Sequence, residues 1–156
     1  MAGMYDPGLL SYPSFWRRLI AGIADAVILG ILALVMGQAL AIFAIHPALG
    51  LGTRDADVIG LVVNFTVVAA LIMSWLYYTL FESSAKQATP GKIILGLVVT
   101  DLNGRRLSLG RANARFWTRA LSVLTLMIGF LLAAFTRRRQ TLHDIVSGCL
   151  VMRSIY

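Results

Sequence analysis

An apolar run of 27 residues, from Leu19 to Ile45, constrains this chain more than any other feature, and Asp25 is its one charged residue. Arg17 and Arg18 come directly before it. An α-helix rises about 1.5 Å per residue, so about 20 apolar residues cross the hydrocarbon of a bilayer. The run therefore predicts a membrane-spanning helix at about residues 19–45, with length left over for tilt.

The composition places the whole chain in a membrane. Its 156 residues are 58% hydrophobic and 13% charged, with a mean hydropathy of +0.79, which is too apolar for a soluble domain of this size. The net charge of +7 comes from 14 Lys and Arg that lie almost entirely outside the apolar runs. This pattern favours anionic lipid headgroups as partners and argues against nucleic acid, which needs a solvated basic face. The single cysteine, Cys149, excludes an intrachain disulfide and a Cys-based metal cluster.

The acid within the first run needs an explanation. Asp25 follows Arg18 by two helical turns, so both lie on one face, with Asp25 about 10 Å deeper. A carboxylate at mid-bilayer costs about 2.5–3.5 kcal/mol and is rarely left facing lipid. Two explanations fit: a polar site inside a helix bundle, or a buried structural anchor that pairs with a basic residue of the same protein.

A second span and the orientation follow from the flanking residues. Residues 1–14 read as a cytoplasmic lead-in, and residues 46–57 as a short extracytoplasmic loop. The charge-free run at about 58–81 returns the chain to the cytoplasm. The basic residues and all three tryptophans adjoin the predicted cytoplasmic side, which gives a multi-pass protein of the inner membrane with a cytoplasmic N-terminus. A cleaved signal peptide is the alternative for the first run, but that run is too long and contains an acid.

The segment from Glu82 to Ser108 is polar and belongs inside. Ile93 to Thr100 is β-branched and apolar, and Asn103-Gly104 is a strong hairpin sequence, so a cytoplasmic β-hairpin is predicted at about 92–108. Thr89-Pro90-Gly91-Lys92 lacks the upstream glycine and the following Ser or Thr of a phosphate-binding loop.

A third membrane segment is predicted at about 111–136. It begins with Arg111, Arg115 and Arg119 at every fourth position, and its apolar part, residues 120–135, is only about 24 Å long as a helix. Whether it crosses fully or re-enters stays open. Thr141 and Asp144 have the spacing of a capping box, which predicts a C-terminal helix at about 141–148. The fold class is thus an all-α membrane protein, a bundle of about three transmembrane or re-entrant helices with a small cytoplasmic β-hairpin.

In the order and spacing of these motifs the chain resembles the RDD family of small bacterial membrane proteins. The resemblance covers nearly the whole chain from Tyr12, so residues 15–156 form a single domain of this type. The matching residues are Arg17 to Asp25, then Glu82, Thr89 to Lys92 and Leu95 to Asp101, and finally Arg111, Arg119 and Gln140 to Asp144. The resemblance implies about three membrane segments and no settled activity, although transport or cation exchange has been proposed for the family. It also implies a polar or ion site formed by Arg18, Asp25 and Asp144, with Glu82, Arg119 and His143 in support.

Two functions are consistent with these residues. The first is transport or cation/proton exchange, in which Asp25 titrates inside the bundle. Three segments enclose a pathway poorly, so this function needs a homo-oligomer or a partner. The second is a non-enzymatic accessory or scaffold subunit of a larger membrane complex, which packs through the small residues Gly22, Ala26 and Gly30.

An enzyme is not expected. His143 and Asp144 are adjacent on a helix and point apart, and no motif places a serine or cysteine nucleophile. No catalytic residue, cofactor or metal is predicted, because the predicted topology puts His46 and His143 on opposite sides of the membrane.

Overall fold

The computed structural model describes residues 12–51, 55–124 and 140–153, and it is mostly helical with one small sheet. The helices are α1 (Phe15–Leu51), α2 (Asp55–Ser83), α3 (Pro90–Ile94), α4 (Leu109–Leu124) and α5 (Leu142–Val146), and the strands are β1 (Leu97–Asp101) and β2 (Cys149–Arg153).

The two long helices contain the two long apolar runs, as predicted. The most apolar 18-residue window of Phe15–Phe43 in α1 has a mean hydropathy of 2.6, and that of Asp57–Ser83 in α2 has 2.2, so both helices are long and apolar enough to cross a membrane. Only 11% and 0% of their most apolar windows are buried inside the protein. The core helix of a soluble protein would instead be mostly buried, so their apolar side chains call for an apolar surrounding. Both helices extend beyond the predicted bounds.

The chain divides into two compact units. Unit 2 comprises Ala26–Ser74, the distal parts of α1 and α2. Here a Cβ on Gly37 would lie 3.1 Å from Cγ2 of Thr66, so the absence of a side chain allows a close approach. The hydroxyls of Thr66 and Ser74 donate to carbonyls four residues earlier in α2, at 2.7 and 2.8 Å. These groups are thereby satisfied within their own helix, which lowers the cost of carrying them in an apolar run.

Unit 1 comprises the chain up to Asp25 and from Trp75 onward, and its centre is an antiparallel sheet. In this sheet β1 pairs with β2 so that Val99 lies opposite Val151. One face of the sheet packs against α1 and α4 in a core of Ala21, Leu97, Val99, Leu107, Ala112, Cys149 and Val151. The other face consists of Val98, Leu150 and Met152, which pack against Tyr12.

The sheet corrects the predicted hairpin at about 92–108. The partner of β1 is the C-terminal β2, some 50 residues away, and Ile93 and Ile94 belong to α3. Asn103-Gly104 does form a tight turn, in which the Asp101 carboxylate accepts from the backbone N–H groups of Asn103 and Arg105 at 2.9 and 2.8 Å. This Asx-type turn leads directly towards α4, so the chain after Asn103-Gly104 does not return as a strand.

The backbone of α3 lies directly on α1. A Cβ on Gly91 would lie 2.5 Å from the carbonyl oxygen of Ala21 and 2.7 Å from Oδ1 of Asp25. Pro90 starts the helix, where its missing N–H costs nothing. The Pro-Gly pair therefore serves close packing of a short helix.

The third predicted segment, 111–136, is described only up to Leu124. The described part, α4, is amphipathic: Ala112 and Arg115 are buried, while Arg111 and Trp117 are exposed. Residues 125–139 lie outside the described part, so the path of this segment stays a prediction. The short α5 follows Thr141 and is followed by Gly148, whose φ of +62° suits glycine.

Gly91→Ala is expected to destabilise unit 1 by about 1–3 kcal/mol, since the added methyl overlaps backbone and a carboxylate that cannot easily move apart. Gly110→Ala in α4 is the matched control, because a Cβ there meets nothing within 4 Å. Thermal unfolding of both variants in detergent measures the difference. Equal melting temperatures would contradict the close packing of α3 on α1.

Candidate functional site

The guanidinium of Arg115 bridges two buried carboxylates. It projects from the buried side of α4, with its side chain only 2% exposed. Its Nη1 lies 2.5 Å from Oε1 of Glu82, and its Nε and Nη2 donate to Oδ1 of Asp144 at 2.9 and 2.7 Å. The bridge thus connects the end of α2, α4 and α5.

Glu82 also accepts from two further cations. The Nζ of Lys92, in α3, donates to Oε1 of Glu82, and Nη2 of Arg119 donates to the same oxygen at 3.0 Å. The guanidinium of Arg119 also lies 4.1 Å from the ring centroid of Tyr78, a cation–π distance. Burial lowers the pKa of Lys92 to about 8, against the opposing attraction of Glu82.

Asp144 is held on its other side by the first helix. Nη1 of Arg18 donates to Oδ2 of Asp144 at 2.6 Å, and Nη2 of Arg18 donates to the carbonyl of Val151 at 3.2 Å. The backbone N–H of Thr141 donates to the same Asp144 oxygen at 3.2 Å, as the capping box requires. Although burial raises the pKa of Asp144, the Arg115 guanidinium holds it well below its usual range.

His143 lies beside this network. It is 3% exposed, and burial holds its pKa well below the usual value of 6.5, so the ring is neutral at pH 7. Its Nε2 lies 2.9 Å from the hydroxyl of Thr141. A neutral imidazole leaves the charge balance to the two carboxylates and the four cations Arg18, Lys92, Arg115 and Arg119.

Asp25 is stabilised differently, by three uncharged donors. The Tyr77 hydroxyl and the Gly91 N–H donate to Oδ1, both at 2.8 Å, and the Thr89 hydroxyl donates to Oδ2 at 2.5 Å. The side chain is fully buried. A basic partner was one of the two explanations for Asp25, but its hydrogen-bond donors among the described residues are uncharged. Arg18 contacts α5 and β2. Arg18 and Asp25 both belong to unit 1, but Arg18 contacts Asp144 whereas Asp25 contacts Gly91.

The structure therefore divides the predicted site residues into two groups. Arg18, Asp144, Glu82 and Arg119 share one ion-pair network, with His143 next to it, whereas Asp25 has its own set of donors. Whether they carry a function stays a prediction.

Four residues that contact the buried carboxylates had no predicted role: Arg115, Lys92, Thr89 and Tyr77. Arg115 belongs to the basic start of the third predicted segment, Lys92 and Thr89 belong to the motif that was rejected as a phosphate-binding loop, and Tyr77 lies near the end of the second apolar run. The spacing of Arg115 four residues from Arg111 and Arg119 was a signal for one helix face, but which arginine is buried depends on the packing of α4. Among the described residues no group of three or more His, Cys, Asp or Glu is placed to hold a metal ion.

Comparison with known proteins identifies a family and a relative that matches over part of its length. The RDD family matches residues 12–148 of the chain. An uncharacterized protein of Bacillus subtilis (strain 168), YxaI, is 40% identical over 81 residues, which cover 52% of this chain and 53% of that protein. The match thus spans about half the length of that relative. No solved structure matches the chain.

Arg115→Met tests the bridge. It keeps the aliphatic bulk but leaves Glu82 and Asp144 without their shared cation, so we expect a loss of about 3–5 kcal/mol in the free energy of unfolding. Arg111→Met is the control: its side chain is 52% exposed and its ion pair with Asp101 is 3.4 Å long, so about 0–1 kcal/mol is expected. Denaturant titration in detergent compares them. Similar losses would show that the bridge contributes no more than a surface pair.

Lys92→Met tests the depressed pKa. Unfolded Lys92 keeps its proton up to a pKa near 10.5, so between pH 8 and that value the unfolded state binds more protons and stability rises with pH. We expect wild type to gain at least about 1 kcal/mol more than the variant between pH 8 and about pH 10, because one pKa unit corresponds to about 1.4 kcal/mol. Denaturant titration at both pH values measures this. An equal gain in both proteins would place the Lys92 pKa near its ordinary value.

Proposed function

Because the chain belongs to the RDD family, whose members are membrane proteins, we propose that it is a multi-pass inner-membrane protein that acts as a non-enzymatic accessory or scaffold subunit. The observation that supports this proposal is that the buried acids of the described part already have ion-pair or hydrogen-bond partners within the chain. Glu82 and Asp144 are neutralised by cations of the same unit, and Asp25 accepts three hydrogen bonds. All three are at most 1% exposed. Groups held in this way stabilise a fold and are poorly placed to meet a solute.

The membrane location rests on α1 and α2. Their apolar residues are widely exposed, and unit 1 contains both the start of α1 and the end of α2. If both helices cross the bilayer, the start of α1 and the end of α2 emerge on the same side, because the chain then crosses twice. The exposed basic residues of unit 1 favour the cytoplasmic side.

The faces left for a partner are those with small residues. A Cβ on Gly22 or Gly30 of α1 meets nothing within 4 Å, whereas one on Gly37 meets Thr66. Gly22 and Gly30 recur on one face with Ala26, and such a face allows a second helix to approach closely. In the proposed role this face binds a helix of a larger membrane complex.

Cation/proton exchange is the second candidate. It is favoured by one observation: within the described residues, every hydrogen-bond donor to Asp25 is uncharged. Protonation of Asp25 therefore breaks no ion pair, and a cation could replace the proton at a carboxylate flanked by hydroxyl oxygens of Tyr77 and Thr89. Exchange would need a homo-oligomer or partner to enclose a path.

Gly30→Leu should separate the scaffold role from stability. The added side chain fills space that is open within the chain, so the melting temperature should be unchanged while co-purification of a stoichiometric membrane partner in mild detergent is lost. Val35→Leu is the control, because Val35 is 62% exposed on another face of α1 and its enlargement should leave the complex intact. Purification of wild type as a single homogeneous species would contradict the scaffold role.

The same purified protein can be used to test cation/proton exchange. Proteoliposomes of wild type and Asp25→Asn are compared for proton-coupled cation flux, with circular dichroism as the check on folding. The scaffold role predicts no flux in either. A flux in wild type that disappears in the folded Asp25→Asn variant would favour exchange and displace the scaffold proposal.

A further inference from the structure

Unit 1 contains an internal repeat. Residues 89–101 and 141–153 follow the same plan: a threonine, a five-residue helix, a two-residue turn that ends in glycine, and a five-residue strand. Thr89 matches Thr141. Gly96 matches Gly148, and both have a left-handed φ, +63° and +62°. The two copies are thus α3 with β1 and α5 with β2.

The pairing of the strands relates the two copies by a local two-fold axis. Val99 and Val151 occupy the same position in their copies, and they lie opposite each other in the sheet. An antiparallel pair that is centred on equivalent residues is symmetric about an axis perpendicular to the sheet. Such an axis places α3 and α5 at opposite ends of the sheet but on the same face. The contacts agree with this, since Gly91 of α3 meets Asp25 and Asp144 of α5 meets Arg18, both on α1.

The two short helices carry different residues at their buried position and similar apolar residues at their exposed positions. Lys92 and Asp144 hold the same position in the repeat and are buried with opposite charges. The next two positions are apolar and exposed in both copies: Ile93 and Ile94 are 44% and 76% exposed, and Ile145 and Val146 are 47% and 61% exposed. We define these four residues as the paired apolar tips. Adjacent exposed apolar residues that recur at both symmetric positions indicate an apolar surrounding for both short helices.

We propose that the paired apolar tips rest in the boundary layer between the headgroups and acyl chains of an anionic bilayer, so that unit 1 lies on the membrane by two symmetric contacts. This rests on the proposed membrane location of α1. The α3 tip follows Gly91, whose N–H bonds Asp25 ten residues into that helix, and the α5 tip follows Asp144, which Arg18 holds near its start. Between Arg18 and Asp25 on α1, Ile20 and Ile23 are also more than half exposed.

The surface charge of unit 1 fits anionic lipid. Every acidic residue in its described part is buried, and these are Asp25, Glu82, Asp101 and Asp144. Its exposed charged residues are all basic: Arg17, Lys86, Arg105, Arg106, Arg111 and Arg153. A surface whose described residues combine apolar tips with exposed cations and include no exposed acid has the composition of an interfacial membrane contact.

Site-directed spin labelling measures the depth of the tips. In a Cys149→Ala background, Ile94→Cys and Val146→Cys are labelled with a nitroxide in vesicles that contain phosphatidylglycerol, and collision with oxygen is compared with collision with a nickel chelate. Leu34→Cys, at a position 65% exposed on α1, is the lipid reference, and Asn103→Cys, in the polar turn after β1, is the water reference. Both tips should give an oxygen-to-nickel ratio several-fold above that of Asn103 and below that of Leu34.

The other outcomes are distinct. If the Leu34 label itself behaves as in water, the membrane location of α1 fails, and with it the proposed function. If Leu34 is in lipid while both tips match Asn103, the lipid contact is overturned and the membrane location stands. If the tips are shielded from both reagents, a second copy of the chain covers them, which also overturns the lipid contact.

Discussion

The fold of unit 1 depends on keeping two carboxylates charged out of water. The transfer of a carboxylate into the interior of a protein costs several kcal/mol, and a paired cation offsets this only when the geometry is good. Arg115 provides such geometry to both Glu82 and Asp144 from one guanidinium. Because these carboxylates belong to α2 and α5, the cation of α4 makes three distant stretches of sequence dependent on one another. The apolar core beside it is small, so this dependence defines the arrangement as much as burial does.

Asp25 represents the other way to bury an acid. Its three donors distribute the negative charge over hydrogen bonds, and the shortest comes from Thr89, just before α3. No cation of the described residues depends on Asp25 as its hydrogen-bond partner, whereas Arg18 and Arg115 both pair with Asp144. The two aspartates that the family resemblance links are therefore physically unlike. Asp144 belongs to an ion-pair network, whereas Asp25 accepts hydrogen bonds from uncharged donors within the described residues.

The sequence predicted what depends on local pattern and missed what depends on distant pairing. The two long helices followed from apolar length, and the start of α5 from the spacing of Thr141 and Asp144. The hairpin failed because Asn103-Gly104 specifies a turn but not the strand that follows, and the partner of β1 lies some 50 residues away. The same limit applies to the site: Arg18 and Asp25 share a helical face, but only the position of α5 decides which carboxylate Arg18 reaches.

The long-range contacts of unit 1 follow from the way in which the two copies of the repeat pair in one sheet. Two helix–turn–strand copies around a two-fold axis need complementary surroundings, since their inward positions carry Lys92 in one copy and Asp144 in the other. Lys92 requires an acid, which Glu82 supplies, and Asp144 requires a base, which Arg18 and Arg115 supply. Arg115 contacts Glu82, which is the partner of Lys92 in the first copy, and it also contacts Asp144 in the second copy. It therefore links the two copies of the repeat. Because the equivalent buried positions carry opposite charges, the two similar segments have different partners: Lys92 pairs with Glu82, and Asp144 pairs with Arg18 and Arg115.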